Sequence, residues 1–569
     1  MKGKKQTERK GGRSTAPAPT PVPTRVPPVP QPGTPHPSAV PPTKEKKPSG
    51  FSMLLLHVHP RMVPEEALQF TRTYGLGGMA VVLLVLLAAT GALLLLAYEP
   101  STERAYGSVL SLRDDTAVGG FVRNIHFWAA NGLVLVAFLH LLRAFYTGAF
   151  HAPRRFNWII GLFLLALVLA SNFTGYLLPW DQLAFWAVTI GTGMLEYVPL
   201  VGPALETALR GGAEVGPKTL SIFFVLHIAI LPILGAILAS FHFWLVRKSG
   251  GVILPRPPGP GPAPRPTLVP TMPHLVFREM VVALVLIAGV LLTAAVLDAP
   301  LLVEANPGMS PNPAKAPWYF MGIQELLVHL HPVFAVLVVP LFAVAFLAFL
   351  PYLQYGEPPS GLWFHSVKGR RTALAAAGAA LVAVPAGILA NEYVLSLPKL
   401  LPSLPQAVSN GLLPTGVLLL LVLGFFGLIR RRFTASRIES VQAVFTLLMV
   451  GLVVLTLTGV LFRGASMRLA WPWLVKRPQS EITNRQGACL RATTHRQAKN
   501  AKAEWVVGGR RTKHLTAPGV LFQMCRWRGR NIVSLSASGG LASWRSNGSF
   551  GSGIAERSVV LLGHRPLRL

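Results

Sequence analysis

The chain has 569 residues, 51% hydrophobic and 13% charged, with mean hydropathy +0.48 and formal net charge +31. Several apolar runs exceed the roughly 20 residues needed to cross a bilayer, which excludes a soluble enzyme and points to a polytopic helical membrane protein. The two cysteines, Cys489 and Cys525, belong to no CxxC or CxxCH, which excludes an iron–sulfur site, a zinc site and covalent haem attachment of that kind.

Residues 1–50 are rich in Pro, Lys and Arg and nearly free of large apolar side chains, so they cannot bury a core and are predicted to be a disordered tail. A secretory signal would need an apolar stretch close behind the charges, whereas the first long one begins near Leu76. Residues 51–70 mix apolar and charged side chains and are predicted to lie along the membrane surface. Nine candidate spans follow, at about 76–98, 121–145, 157–178, 219–246, 277–297, 333–353, 372–392, 412–430 and 440–462. The loops after the even-numbered spans carry Arg143, Arg154 and Arg155; Arg247 and Lys248; Lys368, Arg370 and Arg371; and Arg430, Arg431, Arg432 and Arg437. The alternate loops carry Glu99, Glu103, Asp114, Asp115, Asp298 and Glu304. The positive-inside rule then puts the N-terminus in the cytoplasm, and the net charge reports topology and not a nucleic-acid partner.

The second candidate span holds His126 and His140, fourteen positions apart, and the fourth holds His227 and His242, fifteen apart. On a regular helix these separations leave the two side chains about 40° and about 60° apart around the axis and roughly 21 Å apart along it. Each helix therefore presents one imidazole near each membrane surface on nearly one face, and two such helices side by side would form two facing pairs. Facing imidazoles between helices can hold haem iron from both sides; the alternative is a polar network of buried histidines. Gly77 and Gly91 in the first span and Gly161 and Gly175 in the third repeat the fourteen-residue period, as clearance for two macrocycles would require. Arg123, one turn before His126, is placed to meet a haem propionate or to anchor the helix at the interface.

These features come with RNIH at residues 123–126, HLLRAFYTG at 140–148, GYLLPWDQLAFW at 175–186, VGPALETALRGG at 201–212 and HFWLVRKSG at 242–250. Over residues 55–391 the sequence resembles cytochrome b of the quinol-oxidising cytochrome bc family, the short photosynthetic type joined to its companion subunit IV. The resemblance implies an all-α integral membrane protein, a haem-binding four-helix bundle plus four or five further transmembrane helices. It pairs His126 with His227 on the outer haem b iron and His140 with His242 on the inner one. Its outer quinol-site signature, PEWY, aligns with Ala316, Pro317, Trp318 and Tyr319, so the aromatic pair is present and the glutamate missing. Glu325, with His329 and His331 as relays, is the candidate replacement for proton exit, the alternative being a polar cluster capping helix ends. Relatives with a third, covalent haem carry a cysteine where this chain has Gly75, so two non-covalent haems and no third are expected.

The expected organisation is a tail over 1–50, an N-terminal cytochrome b domain over 51–250, a Pro-rich linker over 251–273, a C-terminal cytochrome b domain over 274–395, extra spans over 396–463 and a basic tail over 464–569. That last stretch has eighteen Lys or Arg against three acidic residues. Nine spans would put it outside the cytoplasm, against the charge rule; either the ninth segment does not cross, or the tail is a frameshift product and not an evolved domain. The resemblance implies quinol oxidation with electron bifurcation and proton translocation in a respiratory chain, with a second quinone near His242 and Arg247. It also implies a Rieske iron–sulfur protein and a c-type cytochrome as partner subunits, a homodimeric complex, and a bacterial-type inner membrane. Two alternatives stay open: a di-haem anchor exchanging electrons between quinone and a dehydrogenase or reductase, and a haem-free transporter.

Overall fold

The computed structural model describes residues 59–256 and 265–475, together with four further strands between 505 and 537 given as backbone. The tail over 1–50, part of the linker and Cys489 lie outside the described residues. Among the described residues nine helices are long and apolar enough to cross a membrane: Leu76–Leu94, Gly119–Tyr146, Arg155–Leu177, Pro217–Lys248, Thr271–Val296, Val333–Tyr352, Val367–Tyr393, Val408–Phe433 and Arg437–Phe462. They are called the first to ninth spans below, and all match the segments expected from hydropathy. Many of their large apolar side chains face outward, Leu419, Leu420 and Leu421 of the eighth span among them, as lipid contact allows.

The described part of the segment expected along the membrane surface is built from a short strand and a turn. Met62–Pro64 is a short strand paired antiparallel with Leu268–Pro270, followed by a 3-10 turn at Glu65–Leu68. Glu65 N–H donates to Thr267 O at 2.9 Å and Thr271 N–H to Arg61 O at 2.9 Å, so the entry to the first span is tied to the entry of the fifth.

Four apolar clusters hold the bundle, the fourth joining the seventh, eighth and ninth spans around Ala376, Ile429 and Ala443. Leu76, Leu83, Ile125, Ala129, Leu133, Val136, Val290 and Ala294 join the first, second and fifth spans. On the side of the expected outer surface, Leu177, Trp180, Phe185, Val188, Leu220 and Phe223 join the third and fourth spans through a helix at Gln182–Gly193. At the opposite end Phe145, Tyr146, Phe150, Trp158, Leu350, Ile438, Val441 and Phe445 bring the second, third, sixth and ninth together.

The ninth span is among the most enclosed. Every residue from Ile438 to Phe445 is buried, and its start is fixed by Ser436 and Glu439, whose side chains bond each other's backbone N–H groups. Alanines on the seventh span, Ala373, Ala376 and Ala380, are buried and let the two helices approach closely, with Ala376 and Ala443 in one cluster. Beyond the bundle, Val520–Trp527 pairs antiparallel with Arg530–Ala537, so the basic tail holds a hairpin that its composition did not announce.

One irregularity bears on the site. The fourth span contains a π-helical turn at Leu226–Ile230, where Leu231 N–H bonds Leu226 O. Pro232 has no N–H to offer a regular bond at the following position, and the extra residue is absorbed there.

Candidate functional site

The second and fourth spans lie on opposite sides of two ring pairs. His126 and His227 have ring centroids 6.2 Å apart and planes at 72°; His140 and His242 are 6.3 Å apart at 70°. Each metal–imidazole bond takes about 2 Å, so two imidazoles pointing their Nε2 atoms at one iron have centroids roughly 6 Å apart. Both pairs fit, although the sequence separations differ by one. The π-helical turn accounts for this, because it takes up the fifteenth position and leaves His242 in phase with His140.

The four glycines face the imidazoles themselves. A Cβ at Gly77 would sit 3.6 Å from His140 Cε1, at Gly91 3.3 Å from His126 Cε1, and at Gly161 3.6 Å from His242 Cε1, while at Gly175 it would run into the His227 ring. The clearance read from the period therefore serves each histidine in turn.

The outer pair is oriented by hydrogen bonds. Thr90 Oγ1 donates to Leu86 O at 2.7 Å, which leaves it to accept from His126 Nδ1 at 3.0 Å. His227 Nδ1 donates to Ser171 O at 2.9 Å, with Thr174 Oγ1 at 3.4 Å. With the hydrogen on Nδ1, the Nε2 lone pair of each ring is free for a metal. In the inner pair His242 Nδ1 is buried without a hydrogen-bond partner.

Arg123 donates to Ala299 O at 2.8 Å and Pro300 O at 2.7 Å, Asn124 Oδ1 accepts from Ala299 N–H at 2.8 Å, and Trp128 Nε1 donates to Leu297 O at 2.8 Å. The start of the second span thus grips the segment after the fifth. Asp181, whose carboxyl is pushed up by burial, accepts from Leu302 N–H at 2.9 Å and ties the Pro179–Asp181 bend to the same segment.

Trp318–Phe320 forms a 3-10 turn leading into the helix Met321–His329. Trp318 Nε1 donates to Asn131 Oδ1 at 2.7 Å, and Asn131 lies on the second span beyond His126. Phe320 meets Phe173 edge-on at 6.0 Å, and Phe173 precedes Gly175, against which His227 lies. The turn that carries the aromatic signature is therefore anchored to the second span through Trp318 and to the third span through Phe320. Tyr319 is half-buried, and burial pushes its hydroxyl up.

Glu325 is fully buried and bonded to a residue that sequence reasoning missed. Arg463, just past the ninth span and fully buried, donates Nη2 to Glu325 Oε1 at 2.6 Å and Nε to Oε2 at 3.0 Å. Its Nη1 donates to Glu392 Oε2 at 3.0 Å and to Met467 O at 2.7 Å. His329 Nε2 is 3.2 Å from Glu325 Oε1, and its Nδ1 is 2.7 Å from Asn391 Oδ1. Burial opposes the charge on Glu325, yet the bonds from His329 and Arg463 prevail and hold its carboxyl below the usual range. His331 is not among the groups bonded to Glu325; its N–H donates to Asn410 O at 2.8 Å and its Nδ1 is buried without a partner. Arg463 and Glu392 gave little signal in sequence, since single charges at span ends are ordinary interfacial anchors. Asn131, Thr90 and Thr174 are equally plain in a membrane helix.

Residues 63–250 match the family model for Cytochrome b/b6/petB. The cytochrome b6 of Heliomicrobium gestii is 41% identical over 192 residues, 34% of this chain and 88% of that protein. That of Heliobacterium modesticaldum is 37% identical over 206 residues, 36% of this chain and 96% of that protein. A solved chain from a hyperthermophilic respiratory Complex III shares the fold, with a TM-score of 0.52 and 23% identity over 69% of this chain and 97% of that one.

Proposed function

The chain belongs to the cytochrome b/b6 family, and from that premise we propose that it is the di-haem subunit of a quinol-oxidising membrane complex of the cytochrome bc type. The observation that carries the reading is the pair of imidazole pairs, with centroids at 6.2 and 6.3 Å, set one above the other with Trp318 and Tyr319 beside the outer one. His126 and His227 would hold the outer haem b, and His140 and His242 the inner. Bound there, the haems supply one-electron carriers at two depths, as bifurcated quinol oxidation requires.

The chain's own residues do the rest. Gly77, Gly91, Gly161 and Gly175 let the imidazoles stand against neighbouring helices, and Arg123 fixes the start of the second span. Trp318 and Tyr319 form a wall of the outer quinol pocket, and Glu325 with His329 receives a proton as the quinol O–H bond breaks. A second quinone takes electrons near His242 and Arg247. The electrons that leave outward go to a Rieske iron–sulfur protein and a c-type cytochrome, separate chains of a homodimeric complex in a bacterial-type inner membrane. The missing PEWY glutamate favours one other reading, a di-haem anchor that exchanges electrons with quinone without bifurcation.

The test is a reduced-minus-oxidised spectrum. Replacing any one of the four histidines by Leu is expected to remove one b-type centre, and full haem content after such a change would overturn the reading. Inhibition of turnover by an outer-site quinol analogue separates the bifurcating enzyme from the anchor. A Glu325→Gln variant with full quinol turnover would remove Glu325 from its role.

A further inference from the structure

The end of the ninth span holds the segment around Trp318 and Tyr319 at several points besides Arg463. Ser466 N–H donates to Asn312 Oδ1 at 2.5 Å, and Lys315 Nζ donates to Val460 O at 2.9 Å. The helix Met321–His329 and this span end cross so closely that a Cβ on Gly322 would be 2.6 Å from Leu452 Cδ1, and one on Gly459 2.7 Å from Met321 Cε. Such crossings exist where small residues are needed, and here they set Arg463 against Glu325.

We propose that the end of the ninth span is a working wall of the outer quinol site, with Arg463 positioning the Glu325–His329 pair to take the quinol proton and Glu392 passing it outward. The inference rests on quinol being oxidised beside Trp318 and Tyr319.

Arg463 bridges two carboxylates, the fully buried Glu325 and the partly exposed Glu392. Its bonds, with that of His329, hold the Glu325 carboxyl below its usual range against burial, and so keep it empty for the incoming proton. His329 Nε2 lies 3.1 Å from Arg463 Nη2 and 3.2 Å from Glu325 Oε1. Without a proton, Nε2 accepts from Arg463; with one, it donates to Glu325. Nδ1 donates to Asn391 Oδ1 in both states. The cluster handles only the proton, while the quinol's electrons go to the one-electron carriers of the proposed function. Glu392, its side chain 21% exposed, is the member that meets the outside and returns the proton to water. The charged groups facing the cluster are Glu325 and His329 from their helix, Glu392 from the seventh span, Arg463 itself, and Lys315, which Glu325 acts on electrostatically.

The experiment uses the whole complex in native membranes, a short-chain quinol as donor, and turnover measured against pH. Arg463→Gln is expected to lower turnover at least about tenfold, with kcat falling more than KM changes. The acidic limb of its pH profile should move to higher pH, because Glu325 then holds its proton more tightly, while the dithionite-reduced b spectrum keeps its amplitude. Arg463→Lys should restore the position of that limb, and Glu392→Gln should slow turnover without altering KM. A profile for Arg463→Gln that superimposes on the parent's, or a Lys variant as impaired as the Gln variant, would overturn the inference. If Arg463→Gln fails to assemble, Glu325→Gln with Arg463→Gln places two neutral amides in the same space; parental turnover and profile in that double variant would overturn it equally. A parent complex whose b centres are not reduced by quinol would remove the proposed function and this inference together, whereas the variant results bear on Arg463 alone.

Discussion

At the scale of single residues, the site depends on close approach and on buried charge. Gly175 leaves no room for a Cβ beside His227, whereas Gly161 would hold one at 3.6 Å from His242, an ordinary contact. Gly175→Ala is therefore expected to cost ~1–3 kcal/mol and to displace the outer b-type centre, seen as a shifted band or potential, while Gly161→Ala leaves the inner centre in place. The Glu325–Arg463 pair allows a second expectation. Removing one member of a buried pair costs about 3–5 kcal/mol because it strands the other charge, so Arg463→Leu should lower the melting temperature more than Arg463→Leu combined with Glu325→Leu. The sign with pH follows from Glu325, whose carboxyl is held below its ordinary value of 4.5 by His329 and Arg463 against the opposing effect of burial. A carboxylate depressed on folding adds stability that is complete above its unfolded value and lost as pH falls through the folded one. Melting curves of the parent should therefore fall away more steeply below pH 4.5 than those of the Glu325→Gln, Arg463→Gln double variant.

At the scale of elements, the phase of the histidines is the controlling quantity. The second span carries His126 and His140 on a regular helix, and the fourth reaches the same phase with one residue more by means of the turn at Leu226–Ile230. Deleting Ala229 is expected to convert that turn into regular helix and to keep two b-type centres in a redox titration. Deleting Val136 from the second span, which has no such slack, should rotate His140 by about 100° and remove the inner centre. The histidine spacing was legible in the sequence, and so were the glycine period and the nine apolar segments. The turn was not, because offsets of about 40° and about 60° look alike in size although they fall on opposite sides of the helix, and only the backbone shows where that rotation of about 100° is absorbed. Likewise Trp318 and Tyr319 were legible as a signature, but the attachment of their turn to the second and third spans, Trp318 to Asn131 and Phe320 to Phe173, joins residues far apart in the chain.

At the scale of the whole molecule, the chain joins a region of cytochrome b6 likeness at residues 63–250 to later spans that pack against it. The ninth span was expected to be an added bundle helix. Its start is packed among Tyr146, Phe150 and Trp158, and its end reaches the Trp318 segment, contacts that the expectation did not specify. Residues 464–475 continue this closure, with Gly464 N–H donating to Arg468 O at 2.9 Å and Ala470 N–H to Phe462 O at 2.8 Å. A chain truncated after Val475 is thus expected to retain two b-type centres and quinol turnover, whereas one truncated before Arg437 should lose turnover; spectra and assays of the two membranes decide it. On the orientation proposed from the basic loops, the nine spans among the described residues put a reporter fused after Val475 on the outer side, which its readout checks.

The sequence by itself determined the membrane class, the spans, the four histidines and the aromatic signature, because hydropathy, helical period and local motif are properties of neighbouring residues. Only the tertiary structure decided that Arg463 closes on Glu325 and Glu392, that each of the four glycines faces an imidazole, and that the start of the ninth span is buried within the bundle. Those contacts join residues as many as 300 positions apart, and burial turns an ordinary charge at a helix end into one that must find its partner.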